Sequence, residues 1–265
     1  MRAALERLQA RLLARARLSP APDAVALVVG RQSCGSMSPA VAQAAAGAVP
    51  GFTLHDGMLE LDDAGLDLDG RSERLEALAR MLLRAGYSQA WRDETLEVRA
   101  TPESPALARI DRSAVRVLGI TTYSVHLNAF CTGGRMVVAQ RAAHKRVDPG
   151  LWDNLAGGMI TAGEAVHLAL AREAYEEAGL ELDGLPLVAG ARIAVRRPIA
   201  EGVLAEIVHV FDVALPADVQ PVNRDGEVAR FETRSIADVV AAMERDEFTV
   251  EAALATLDAL LRRGF

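Results

Sequence analysis

The sequence predicts an α/β protein in two parts: an α/β/α sandwich around a mixed sheet over 116–265, preceded by a smaller α/β domain of unknown role over 1–115. Three observations lead there. Beyond residue 115, strand-like runs come first, then one long helical stretch, then more strands and two closing helices, an order that suits a sheet covered on both faces. Between 164 and 178 there is no Pro and no Gly, and Ala, Leu, Glu and Arg dominate, so that stretch favours helix. Before residue 115, shorter apolar runs alternate with helical patterns and turn signals, enough for a second, smaller unit.

The elements follow in order. The opening run MRAALERLQARLLARARL is basic and amphipathic. It lacks an uninterrupted apolar stretch and a small-residue cleavage site, so it reads as a surface or docking helix rather than a signal peptide. Ala24–Val29 is a short apolar run, followed by GRQSCGS at 30–36. That segment has no Gly-Lys-Ser/Thr ending and no G-x-G-x-x-G, so it reads as an ordinary loop and not as a phosphate loop. A helix starts near Ser38-Pro39, FTLHDGMLEL forms a hairpin about Asp56-Gly57, a helix covers Ser72–Ala85, and a strand lies near Leu96–Ala100. Downstream, Thr122–Cys131 and Arg135–Arg141 are strands joined through Gly133-Gly134. The loop AAHKRVDPGLWDN then leads to LAGGM and the long helix. Leu187–Arg196, Leu204–Val213 and Glu227–Thr233 are further strands, and Ile236–Arg245 and Val250–Arg263 are the closing helices.

The long helix carries the chemistry. Glu173, Glu176 and Glu177 are related as i, i+3 and i+4, which crowds three carboxylates on one helical face. Like charges that close repel, and a structural helix gains nothing from them. A hard divalent cation does reward them, because oxygen donors suit Mg²⁺ or Mn²⁺ and such ions bridge to substrate phosphates. Gly179 stands where a left-handed residue ends the helix, and Thr161 with Glu164 has capping-box spacing at its front.

Gly158, Glu164, Arg172, Glu173, Glu176, Glu177 and Gly179 fall at G-x5-E-x7-R-E-U-x-E-E-x-G-U, with apolar Ala174 and Leu180 at the U positions. Over 158–180 this matches the Nudix box at every fixed position, and the chain resembles the Nudix hydrolase superfamily. The runs GITTYSVHLNAF, HKRVDPGLWDNLAGGMITAGE, NRDGEVARFETRSIADVVAAM and EFTVEAALATLDALLRRG narrow the resemblance to thiamine-pyrophosphokinase-related Nudix proteins with an uncharacterised amino-terminal domain. The resemblance implies the α/β/α fold and a metal-dependent hydrolase. Its expected substrate is a small organic diphosphate, thiamine diphosphate or an oxidised analogue, released as a monophosphate. It also implies that the carbonyl of Gly158 joins Glu173, Glu176 and Glu177 as a metal ligand.

Roles for single residues follow from this placement. Glu177 and Glu173 are the expected catalytic ligands, and Glu177 doubles as a possible base. Glu227, in the NRDGEV loop, is the first outside candidate for positioning water, with a solvated loop carboxylate as the alternative, and Glu206 is the second. Arg172 orients a box carboxylate, and Glu164 caps or pairs. Arg141, Lys145 and Arg146 form a candidate diphosphate clamp between the second strand and the box loop. His126 and Asn128 share one face of the first strand and either line a pocket or sit as satisfied core groups. Trp152 stacks on a flat heterocycle or belongs to the core.

Composition sets the outer bounds. A net charge of −7 and a pI near 5.3 argue against a generic nucleic-acid or membrane-surface protein. Cys34 and Cys131 form no zinc pattern and fit a reducing compartment, and a cytoplasmic enzyme is expected. The expected partner is the small-molecule substrate, with no nucleic acid and no membrane, and a homodimer stays open. Three alternatives stand beside this expectation: an ADP-ribose-like nucleoside-diphosphate hydrolase, an enzyme like the isopentenyl-diphosphate isomerases, which use a cysteine and a glutamate, and a non-catalytic Nudix ligand sensor.

Overall fold

Alternation along 122–131 decides the layering of the larger domain. Val125, Leu127 and Ala129 turn to one face of the strand, while Ser124, His126 and Asn128 turn to the other. The computed structural model describes residues 1–216 and 219–265. Its first part runs α1 (Arg2–Ala16), β1 (Val25–Val29), β2 (Gln32–Met37), α2 (Pro39–Ala48), β3 (Phe52–His55), β4 (Met58–Leu61), α3 (Leu68–Arg84), β5 (Thr95–Val98), β6 (Ala108–Asp111) and α4 (Arg112–Val115). The second runs β7 (Thr122–Cys131), β8 (Arg135–Arg141), β9 (Trp152–Asp153), β10 (Ala156–Met159), α5 (Val166–Ala178), β11 (Leu187–Ile199), β12 (Gly202–Ala214), β13 (Val228–Ser235), α6 (Ile236–Glu244) and α7 (Val250–Arg262).

The main sheet has seven strands in the order β11-β12-β7-β8-β13, with β10 added to β7 and β9 to β8. It is mixed, because β7 runs parallel to β12 and antiparallel to β8 and β10. On one face Val125, Leu127 and Ala129 bury Ala169, Leu170 and Ala174 of α5. On the other, Phe130, Val208 and Val210 lie beneath α6, α7 and α1. This is the expected α/β/α sandwich.

Two local expectations are corrected. The opening helix does not belong with the amino-terminal unit. Leu5, Leu8, Leu12 and Ala16 repeat at three- and four-residue spacing and form a stripe that α7 and β11 bury. The largest apolar surface within reach decides where such a helix docks, and here it is the larger domain. GRQSCGS is not a loop either. Gly30 and Arg31 take positive φ, 60° and 61°, making a tight turn, and Gln32–Met37 returns antiparallel to β1 as an edge strand. Its small and polar residues hide the strand signal.

The smaller unit holds a four-stranded sheet, β2-β1-β4-β3, and the ribbon β5-β6. Leu27, Leu59, Leu75, Leu78 and Ile110 form its core, which takes in Leu118, Ile120 and Met159 near the junction. Cys34 lies in this core, where burial pushes its thiol up to about 12. The two units therefore share packed surface. Main-chain bonds reinforce it: Ala162 N–H donates to Thr95 O at 2.8 Å and Ser36 N–H to Leu118 O at 2.8 Å.

Candidate active site

Three glycines frame the site. Gly179 adopts a left-handed φ of 64° and ends α5 as its spacing predicts. Gly157 and Gly158 lie on β10, beside β7. A Cβ on Gly158 would overlap the Glu173 carboxylate, so only glycine lets that side chain lie against the strand.

The front of the helix differs from expectation. α5 starts at Val166 with Ala165 as its cap, and no side chain caps it. Thr161 and Glu164 are bonded, through the Thr161 N–H and Oγ1 to Glu164 Oε2, each at 3.1 Å, but they close the loop before the helix. Glu164 also receives Arg172 Nε and Nη2, each at 2.9 Å. Arg172 Nη2 donates to Met159 O at 2.9 Å, and Nη1 to Glu173 at 2.6 Å and Glu176 at 3.2 Å. One guanidinium thus ties β10, the box loop and two box carboxylates together. Its hydrogen bonds to Glu164 and the nearby Glu173 hold Arg172 firmly protonated.

Glu177 lies deepest. Gly157 N–H donates to its Oε2 at 2.8 Å. Burial, then the neighbouring Glu173, pushes its carboxyl up to about 8. Burial also raises Glu173, against the pull of Arg172. Glu227 and Asp225 face Glu177 from the segment before β13, and one carboxylate oxygen from each of the three lies within 4.8 Å of the others. Lys145 Nζ bonds Glu227. Burial lowers the Lys145 ammonium, while Glu177 favours its charge. Arg141 Nη1 donates to Asp153 at 2.9 Å and its Nε and Nη2 to Val147 O at 3.3 and 3.0 Å.

The expected residues therefore divide. Glu173, Glu177, Gly158, Glu227 and Lys145 come together, with Arg141 close enough for Glu177 to favour its charge. Glu176 stands at the rim, its side chain 44% exposed. His126 packs its ring under Gly157, 3.2 Å from where a Cβ would sit, and pairs Nδ1 with Asn154 Oδ1 at 2.8 Å.

Four candidates lie elsewhere. Asn128 is fully buried, bonded to Asp212, Asn154, Thr256 and the Ala255 carbonyl, and is a satisfied core group that lines no pocket. Trp152 is buried on the α6–α7 side with the Arg234 guanidinium 3.8 Å from its ring centre, so it offers no open stacking face. Arg146 turns away to Glu201 at 3.8 Å. Glu206 is buried against Ser124 Oγ at 2.6 Å and is not one of the three grouped carboxylates. Sequence reasoning missed Asp225, and it offered Asp153 only as a partner for a substrate ring, whereas Asp153 holds Arg141. The signal for Asp225 was its place two residues before Glu227 in a turn.

Two buried carboxylates, Glu173 and Glu177, thus lie against the glycines of β10 in an α/β/α sandwich, with the more exposed Asp225 and Glu227 beside Glu177. The NUDIX domain family matches residues 123–254, and a domain of unknown function, DUF4743, matches residues 9–122. Residues 123–254 belong to the NUDIX domain family. It is 28% identical over 215 residues to the chloroplastic Nudix hydrolase 24 of Arabidopsis thaliana, covering 74% of this chain and 56% of that protein. It is 36% identical over 112 residues to an isopentenyl-diphosphate Delta-isomerase of Kocuria rhizophila, covering 42% of this chain and 61% of that protein. The crystal structure of DR0079 from Deinococcus radiodurans superposes with a TM-score of 0.50 at 23% identity, covering 65% of this chain and 99% of that one, and supports the fold. The chain spans little more than half the length of these two curated relatives. Among the described residues, no helix is long and apolar enough to cross a membrane.

Proposed function

We propose that the chain hydrolyses the diphosphate linkage of a small organic diphosphate to a monophosphate. Glu173, Glu176, Glu177 and the Gly158 carbonyl would hold a divalent cation, and Glu227 would position or deprotonate the attacking water. One observation carries this: the buried Glu177 has Asp225 and Glu227 grouped with it within 4.8 Å. Lys145 is the one cation paired with any of these three among the described residues. An all-oxygen donor set with surplus negative charge fits Mg²⁺ or Mn²⁺. When bound, the cation neutralises the diphosphate and polarises phosphorus for attack.

The chain's own groups do the rest. The Gly157 amide fixes Glu177, and Arg172 fixes Glu173 and Glu176. Glu227, held by Lys145, faces the same space and can accept a proton from water. A colorimetric phosphate screen with Mg²⁺ over a panel of organic diphosphates tests this, and turnover of none of them would contradict it.

Similarity to the isomerase gives a second reading, which needs a reactive cysteine beside the box. Cys131 instead ends β7 opposite Arg135, in register with the hairpin, and burial raises its thiol. The intact Arg172-Glu173 and Glu176-Glu177 pairs favour hydrolysis, and they equally disfavour a non-catalytic sensor.

For the substrate, the motif resemblance supports thiamine diphosphate or an oxidised analogue, with an ADP-ribose-like compound as the alternative. Since Trp152 is closed off, the ring must find another partner. Comparing kcat/KM for thiamine diphosphate, its oxidised form, ADP-ribose and a deoxynucleoside triphosphate decides between them. A nucleotide preferred by a hundredfold, about 2.7 kcal/mol of transition-state binding, would remove the thiamine assignment and leave the diphosphatase standing.

A further inference from the structure

The seam between the two units holds cations that the box does not use. Arg116 Nη1, just past α4, lies 3.2 Å from Glu201 Oε2 and Arg146 Nη1 3.8 Å from Glu201 Oε1, so two arginines share one carboxylate at the seam. Glu201 sits at the tip of the β11–β12 hairpin, and the tip is anchored there. Val203 N–H donates to Arg116 O at 2.9 Å, and Gly202, at φ 135°, leaves no room for a Cβ against that carbonyl. Arg112, on α4, pairs with Glu94 at 2.6 Å. It stands one helical turn before Arg116, which reaches Glu201 at the seam. Arg92 is exposed, and among the described residues it pairs with no carboxylate. Its backbone N–H donates to Asp111 Oδ1 at 3.3 Å, which sets it beside Arg112, and partial burial, then Arg146 and Arg112, disfavours its charge.

Arg92, Arg112, Arg116 and Arg146 thus meet only Glu94 and Glu201 as ion-pair partners among the described residues, leaving a local positive surplus in a chain of net charge −7. Crowded like charges at a partly buried seam cost free energy that an arriving anion recovers. The cluster runs from the amino-terminal unit to Lys145, which touches the box through Glu227. A terminal phosphate offers three free oxygens and nearly two negative charges, and guanidinium forks match it bidentately. A phosphate esterified on both sides offers fewer oxygens and one charge.

We propose that Arg92 and Arg112 of the amino-terminal unit, together with Arg146, bind the terminal unesterified phosphate of the substrate, so that this unit selects diphosphates with a free end. The substrate class rests on the hydrolase reading, whereas the anion site does not. The test uses the full chain with Arg92→Ala, and Arg109→Ala as control, since Arg109 lies on the same unit and pairs with Asp69 on an exposed face.

Calorimetric titration with inorganic pyrophosphate and Mg²⁺ should show affinity falling roughly tenfold to a hundredfold in Arg92→Ala, the loss of a charge-assisted bond, and no change in Arg109→Ala. Turnover should show KM rising by a similar factor for a diphosphate with a free terminal phosphate. KM for one esterified at both ends should hold, as should kcat. Absence of pyrophosphate binding in the unsubstituted chain, unchanged affinity in Arg92→Ala, or an equal KM rise for both substrate types would overturn the proposal. Pyrophosphate binding through Arg92 without hydrolysis of either substrate would sink the hydrolase reading and leave the anion site in place.

Discussion

Two opposed demands meet on Glu177. Burial and Glu173 hold its carboxyl at about 8 against an ordinary 4.5, while the Gly157 amide favours the ionised form. A folded pKa above the unfolded one means that folding takes up a proton. In the metal-free protein this group's contribution to stability is complete below 4.5 and is lost as the pH rises towards about 8. A cation needs the carboxylate, so binding expels that proton. Mg²⁺ affinity is therefore expected to climb with pH up to about 8 and then level off. Calorimetry in buffers of different ionisation enthalpy counts the proton released, and an affinity flat through that range would contradict the assignment. Glu173 and Glu177 were legible as a pair because helical spacing fixes which side chains share a face, and Gly158 only through the motif resemblance. Trp152 and Asn128 were not. The face of Trp152 depends on β9, a two-residue strand too short to show alternation, and the partners of Asn128 include Ala255, 127 residues away.

At the scale of elements, β10 and α5 work as one piece, with Glu173 lying on Gly158 and Arg172 reaching the Met159 carbonyl. Gly158→Ala should force that carboxylate off the strand. Overpacking of this kind costs about 1–3 kcal/mol, and kcat should fall with it because Glu173 loses its place. Thermal unfolding and turnover check both effects; a variant with native melting and full kcat would show that the contact does not matter. Residues 166–178 were readable as helix from composition, but the helix start was not, because Thr161 and Glu164 make the bonds of a capping pair one turn too early. The amino-terminal unit grips that same loop: Gly163 N–H donates to Glu97 at 3.2 Å, beside the bond from Ala162 to Thr95. Strands β7, β8, β11, β12 and β13 read well because they alternate or run long. β2, β6, β9 and β10 escaped, being short.

For the whole molecule, a change in pattern suggests a division near residue 115, and nothing in that pattern shows α1 docked on the larger sheet. An amphipathic stripe names a face and not its partner. Burying Leu5, Leu8 and Leu12 stabilises by about 1.5–3 kcal/mol each, which together approaches the total stability of a typical domain, about 5–15 kcal/mol. A chain begun at residue 115 should therefore expose α7 and aggregate, whereas one that keeps residues 1–17 and disrupts only the smaller core should retain the larger sheet. Urea unfolding checks this, and an undiminished midpoint without α1 would refute the docking as a source of stability. The most direct test of the account is turnover of an organic diphosphate in ¹⁸O-water with Mg²⁺, comparing the full chain with Glu177→Gln. The full chain should place one ¹⁸O in a phosphate product and need the metal. Glu177→Gln should stay folded and lose nearly all turnover, because the cation loses a carboxylate ligand. Near-undiminished hydrolysis by the variant, or an unlabelled isomerised product from the full chain, would contradict it.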